Sequence, residues 1–286
     1  QLVVDEILGE GAAAHFRRQV GELRADLALG DLHVGFGDLL AVDRDDERLD
    51  LFAEGPVRAF GDLVVVDAFG AYLLVLVVLV TAIALAGSPS HVAHELSSGS
   101  FRPRDPGRYY ALLAWFAAGL AAIPLLDSLG LVWVGIEATT IVSALLVGFT
   151  RTPQAIEAAW KYLILGSIGI GFALLGTILL YASSVGVLGE TSDALAWSRL
   201  VQIAPELDPS FVRLAFIFAL AGYGTKAGLA PFHTWLPDAH SQAPSPISAM
   251  LSGAALAVAL YALARFNLVA MGTLGPVFSS TLPVVF

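Results

Sequence analysis

The sequence predicts an all-α membrane protein, a multi-span bundle of about six transmembrane helices in which one helix is broken. Three observations carry this. The 286 residues are 57% hydrophobic and only 14% charged, with a mean hydropathy of +0.76, whereas soluble domains carry about a quarter charged residues. Apolar runs of the length that crosses a bilayer, about 20 residues, recur from Leu63 onward. A proline- and histidine-rich stretch, Pro231 to Pro244, interrupts them late in the chain.

Residues 1–60 differ from the rest. They hold stretches such as Asp43-Arg44-Asp45-Asp46-Glu47-Arg48 and no span-length apolar run, and they read as a polar, acidic N-terminal extension. They show neither the basic start nor the short apolar core of a signal peptide. Residues 1–66 contain 14 acidic side chains against 6 arginines, so most of the formal net charge of −10 belongs to them. The remainder is nearly neutral, and nothing in it suits nucleic acid.

The first span is Leu63–Gly87, followed by a polar segment to Arg108. Tyr110–Leu126 is the second span and Leu131–Phe149 the third. Arg151-Thr152-Pro153 turns the chain into a fourth, from about Ala155 to Tyr181. A longer polar loop covers Ser183 to Val212. The fifth span begins near Phe211 and meets Pro231, and Pro246–Phe266 is the sixth. This divides the chain into 1–60, 61–108 with the first span and its loop, 109–266 with five further helices, and 267–286 as a loop or the start of another span. Loop arginines number four on one side (Arg102, Arg104, Arg108, Arg151) and three on the other (Arg199, Arg213, Arg265). That excess points the 236–246 loop toward the cytoplasm.

There is no cysteine, which excludes iron–sulfur ligation and disulfides within these residues. None of the six histidines falls mid-span, where a membrane haem takes its axial ligands, so no cofactor is expected. His91-Val92-Ala93-His94-Glu95 has a short ligand-like spacing, but it lacks further ligands and no metal is expected there either.

Three charges lie within apolar runs: Glu137, Lys161 and Lys226. A mid-bilayer charge costs at least about 2.5 kcal/mol, and such residues usually face the bundle interior and mark an ion path. The chain has 13 arginines but only these two lysines. Lysine changes protonation readily when desolvated, and arginine does not. The plainer alternatives are that Lys161 reaches to the interface and Lys226 makes a static pair. Gly224 and Gly228 frame Lys226 in a spacing that lets helices approach closely. Pro231 has no N–H and leaves the Ala227 carbonyl without its usual donor. Irregular backbone at membrane depth is tolerated only inside protein or beside a wet cavity. In the following loop, His233, Asp238 and His240 are candidates to pass protons to water, since histidine titrates near neutral pH. An ordered, hydrogen-bonded loop without that role is the alternative.

Gly135-Ile136-Glu137-Ala138-Thr139-Thr140, Ala159-Trp160-Lys161-Tyr162-Leu163-Ile164-Leu165-Gly166 and Gly224-Thr225-Lys226-Ala227-Gly228-Leu229-Ala230-Pro231 through Ser245-Pro246 resemble the antiporter-like membrane subunits. These are the proton-pumping subunits of complex I, multisubunit sodium/proton antiporters and group 4 membrane-bound hydrogenases, the wording being nearest the hydrogenase-4/formate-hydrogenlyase type. The resemblance covers about Gly55 to Phe266. It implies one half of an inverted-repeat fold, seated in a prokaryotic inner membrane beside other membrane subunits and a peripheral redox arm. It implies that Glu137 pairs with Lys226 on the broken helix, that the strength of the pair is coupled to proton uptake, and that Lys161 is a further basic station.

Two departures from the family pattern stand out. The polar residue expected eight positions before Arg265 is Ala257. Only one repeat is expected within Tyr110–Phe266, so the chain reads as a truncated subunit with the entry half of a path. The functional expectation is a proton-translocation half-channel coupled to electron transfer elsewhere in an oxidoreductase complex. A non-pumping scaffold subunit and a component of a cation/proton antiporter are the alternatives.

Overall fold

The computed structural model describes residues 56–59 and 63–275. The rest of the acidic extension and residues 276–286 lie outside the described residues. Ahead of the helices, β1 (Val57–Ala59) pairs antiparallel with β2 (Val64–Val66), Val57 opposite Val66.

Helix α1 (Ala68–Ser97) starts at Asp67, whose carboxylate accepts from the Gly70 N–H at 2.8 Å, so it satisfies one of the free donors of the first turn. It continues ten residues past the predicted end at Gly87. Ser88 there is satisfied within the fold: its hydroxyl donates to the Ala84 carbonyl at 2.7 Å and meets the Tyr109 hydroxyl at 3.0 Å. His91 and His94 therefore sit on a helix and not in a polar loop, with the His91 ring near Phe101 and Tyr109.

Helix α2 (Asp105–Ala122) tightens into a 3₁₀ turn (Ile123–Leu125), and α3 (Leu129–Val147) follows. The 36-residue α4 (Pro153–Leu188) opens on Thr152, which accepts from the Ala155 N–H, with Pro153 in its first turn. At 1.5 Å per residue it rises about 54 Å, well beyond an apolar layer of about 30 Å, so it tilts or projects. The loop after it contains an unexpected helix, α5 (Trp197–Ile203). Buried Asp127 builds that corner, accepting from the Ser198 N–H at 3.1 Å and its hydroxyl at 2.7 Å.

Helix α6 (Pro209–Ala227) is capped by Asp208 and stops at Gly228, whose φ of 73° is the left-handed conformation that glycine adopts without steric cost. Non-helical chain leads to α7 (Leu236–Gln242). Then α8 (Ser245–Met250), a π turn (Leu251–Ala255) and α9 (Leu256–Leu274) form one continuous rod.

Five helices among the described residues are long and apolar enough to cross a membrane: Ala68–Ser97, Asp105–Leu125, Leu129–Val147, Pro153–Leu188 and Ser245–Leu274. The remaining predicted span, the fifth, is α6, which carries Arg213 near one end and Lys226 near the other. Exposed apolar side chains run along single helix faces, Tyr72, Val75, Leu79 and Ile83 on α1 and Trp160, Ile164 and Ile168 on α4. A helix that is apolar all round belongs in lipid or in a large core, and these faces suit acyl chains.

The closest helix approach is between α4 and α6. A Cβ added at Gly222 would meet the Ala173 backbone nitrogen at 2.4 Å, and one at Gly176 the Ala215 carbonyl at 2.6 Å. Small residues at four-residue spacing let the two backbones touch. The sequence assigned that role to Gly224 and Gly228. Gly224 instead faces the side chain of Leu229, and Gly228 caps the helix. Arg265 also moves: it belongs to α9, buried, and not to a loop.

Candidate functional site

Lys226 lies in the last turn of α6 and is 3% exposed. The close contact of α6 with α4 places it against Tyr162, a fully buried residue of α4. The Lys226 ammonium donates to the Tyr162 hydroxyl and lies 4.4 Å from the centre of its ring. That hydroxyl also shares a hydrogen bond of 2.7 Å with Ser143 on α3, whose own proton has a second acceptor at the Thr139 carbonyl. Trp235, from the non-helical segment, closes the site. Its ring sits 4.8 Å from that of Tyr162, and its indole N–H donates to the Thr225 carbonyl at 2.8 Å. It thereby adds a second donor to a carbonyl of the last turn that also accepts from the Gly228 N–H at 3.2 Å.

Glu137 stands on α3, half-buried. One carboxylate oxygen accepts from the Ser167 hydroxyl at 2.8 Å; the other is buried with no hydrogen-bond partner. The expected direct pair with Lys226 is absent from this conformation. Glu137 is within electrostatic range of Lys226 and of Tyr162, but the contact atom on the lysine is the tyrosine oxygen. A buried carboxylate oxygen without a donor is costly, and it is the natural acceptor if the ammonium swings over.

Lys161, read from the sequence as a charge near one end of an apolar run, has a side chain 47% exposed and paired with Glu157 at 2.7 Å and Asp238 at 2.9 Å. A residue eight positions into α4 reaches the edge of the bundle because the loop helix α7 comes down beside it. Gln154, Ser241 and Gln242 join these three around a cavity of about 170 Å³. Lys161 and Tyr162 are consecutive, so one turns to this polar cavity while the next turns to the buried site.

The remaining predicted residues divide. His240 is half-buried on α7, sharing a 3.0 Å hydrogen bond with Ser248 through Nδ1, while its Nε2 is buried without a partner. Burial holds its pKa below the ordinary histidine value. His233 is exposed and its ring makes no hydrogen bond among the described residues, its carbonyl alone accepting from the Leu236 N–H at 3.0 Å, so the ring is not assembled with the others. Pro231 lies beyond the helix end, already fixed at Gly228, and the break does not depend on it. Ala257 packs against the core two residues after the π turn.

Sequence reasoning missed Tyr162, Ser143, Ser167 and Trp235. It also missed a second buried cluster, where α9 meets the start of α1. Arg265 (2% exposed) makes a two-pronged pair with Asp67, at 2.9 and 2.5 Å, and stacks 3.7 Å from the Trp197 ring centre. Burial pushes the Asp67 carboxyl up, but the bonds from Arg265 and Gly70 outweigh it and leave it below the ordinary carboxylate value.

The fold and this site together define a membrane helical bundle with a broken helix and a buried lysine at the break. Residues 127–285 match the NADH:quinone oxidoreductase/Mrp antiporter, TM family, and the chain belongs to it. It is 46% identical over 181 residues to a hydrogenase-4 component F homolog of Methylacidiphilum infernorum (isolate V4), covering 63% of this chain and 38% of that protein. It is 32% identical over 229 residues to NADH-quinone oxidoreductase subunit N 1 of Solibacter usitatus (strain Ellin6076), covering 80% and 44%. In structure it is similar to a chain of the membrane-bound sulfane sulfur reductase, an archaeal respiratory membrane complex (TM-score 0.61, 26% identity, covering 74% and 40%). It is also similar to a chain of respiratory complex I from Thermus thermophilus (TM-score 0.54, 25% identity, covering 80% and 44%). The chain spans about two fifths of the length of these relatives.

Proposed function

We propose that this chain contributes a proton-translocation half-channel to a membrane subunit of a complex I-like or hydrogenase-type oxidoreductase. Its partners are further membrane subunits and a peripheral redox arm that carries the electron transfer. The observation that carries this reading is the arrangement at Lys226: a buried ammonium at a helix break, held by Tyr162 of α4, with the unsatisfied oxygen of Glu137 on α3, which packs on the other side of α4. An opposite charge close by favours the charged form of each group. The proton affinity of Lys226 therefore follows its distance from Glu137, and a small swing between Tyr162 and Glu137 makes a two-state switch. Protons enter through the cavity around Lys161 and Asp238. His240 stands on the same loop helix and relays between water and the interior. His233 has no structural support for a part in this route.

The test is proton uptake by the complex reconstituted in vesicles. Lys226→Ala and Glu137→Gln should each reduce translocation by roughly a hundredfold, the usual weight of a positioned proton-transfer group, while the redox reaction continues. Wild-type translocation in both variants would refute the half-channel.

One observation favours a second reading, a membrane scaffold that does not pump. Ala257 places a methyl group just past the π turn, where the family resemblance leads one to expect a polar station. If Ala257→Lys creates translocation in a complex that shows none, the scaffold reading holds for the natural chain.

A further inference from the structure

We propose that the cleft between the start of α2 and the end of α3 binds one anionic phospholipid. The cleft has a volume of about 580 Å³ and is walled by Arg108, Leu112 and Trp115 from α2, Leu145 from the end of α3, and Phe149 and Arg151 from the turn that follows. Arg108, Leu112 and Trp115 share one helix face, being four and seven residues apart. The cleft is therefore cationic at its mouth and apolar along its shaft. Seven residues of helix rise about 10 Å, which is a head group followed by several methylenes of acyl chain. Arg108 in the first turn of α2 and Arg151 in the turn after α3 stand on the same side of the bundle, at the level where spans leave the hydrocarbon. Basic pockets between spans at that level recognise anionic head groups.

The charges at the mouth do not cancel. Arg151 donates twice to Asp105, at 3.0 and 2.9 Å, and Asp105 is 1% exposed, so that carboxylate is fully used. A guanidinium has five N–H donors, which leaves Arg151 others to offer toward the cleft. Arg108 is exposed and makes no ion pair or hydrogen bond among the described residues. Exposed Arg102 and Arg104 lie in the loop just before α2 and add to the positive field. Trp115 is 73% exposed, so no described side chain covers the apolar wall that an acyl chain would occupy. A water-soluble phosphate ester has no use for that wall, and a zwitterionic lipid brings beside its phosphate a cation that Arg108 and Arg151 repel. The lipid phosphate accepts from Arg108 and Arg151, and one chain lies along Leu112, Leu145 and Trp115.

The full chain in a mild detergent is titrated with phosphatidylglycerol or phosphatidylcholine brominated on the acyl chains, and tryptophan emission is followed. Trp115→Phe isolates the part of the quenching due to this ring. That part should saturate at several-fold less phosphatidylglycerol than phosphatidylcholine. Arg108→Gln should weaken the preference about fivefold, the weight of one basic side chain at an anionic lipid. Excess inorganic phosphate should displace nothing. Equal quenching by the two lipids, an unchanged preference in Arg108→Gln, displacement by inorganic phosphate, or no Trp115-dependent signal would each overturn the proposal. The last outcome is expected if a helix of a partner subunit fills the cleft instead.

Discussion

Lys226 is bound by Tyr162, not by Glu137: its ammonium donates to the tyrosine hydroxyl and lies over the same ring. Glu137 waits on the next helix with one oxygen unpaired. The lysine thus has two places to rest, and the hydroxyl marks one of them.

Removing that resting place should be felt. Tyr162→Phe keeps the ring and its packing on Trp235 but leaves a buried ammonium and Ser143 without their shared partner. An unmade buried hydrogen bond costs about 1–3 kcal/mol, so thermal unfolding in detergent should shift to lower temperature. Proton uptake by the reconstituted complex should fall about tenfold or more. An unchanged proton yield would assign Tyr162 to packing alone.

The two lysines should behave unequally. Lys161 is half exposed, and an exposed ion pair contributes about 0–1 kcal/mol. Lys161→Ala should barely move the unfolding temperature and should slow proton entry only modestly. Lys226→Ala should stop translocation. Matched losses in both variants, measured in the same vesicles, would contradict the ranking.

At Gly222 and Gly176 the α4–α6 contact leaves no room for a side chain. Gly222→Leu forces atoms against the Ala173 backbone, and overpacking of this kind costs about 3 kcal/mol. Gly171→Ala, on the same helix pair but facing open space, should leave the unfolding temperature within a degree or two of wild type. The comparison needs only thermal scans of the two variants.

Asp67 and Arg265 tie the start of α1 to α9. Asp67→Asn leaves a buried guanidinium without its counter-charge and should destabilise by about 3 kcal/mol. The pH dependence has a definite sign. The folded Asp67 carboxyl lies below its ordinary value of 3.8, so the folded state binds its proton more weakly than the unfolded state. Its contribution is complete above about pH 4 and is lost as pH falls through the folded value. Unfolding temperatures between pH 7 and pH 3 should show this acid loss in the wild type and a shallower loss in Asp67→Asn.

Much of the bundle was legible in the sequence, because a 20-residue apolar run has few other meanings. Glu137 and Lys226 stood out for the same reason, as charges where charges are costly. The ends of helices were less legible: Ser88 and His91 read as loop residues, and only the distant Tyr109 explains why they remain helical. Lys161 was visible as a charge, but its depth depends on Asp238, 77 residues away. Tyr162 and Ser143 gave no signal, since single hydroxyls are common in spans and usually bond within their own helix. Their meeting with Lys226 is decided by the glycine and alanine contact between α4 and α6. The Arg265–Asp67 pair, 198 residues apart, was hidden in the same way.

The most direct test of the central claim is a double-mutant cycle on protons moved per electron in the reconstituted complex. Groups that act as one unit are strongly non-additive. Lys226→Ala and Glu137→Gln should each abolish most of the translocation, and the double variant should lose no more than either single one. Losses that simply multiply, or a proton yield unchanged in either single variant, would show that Lys226 and Glu137 do not form one switch.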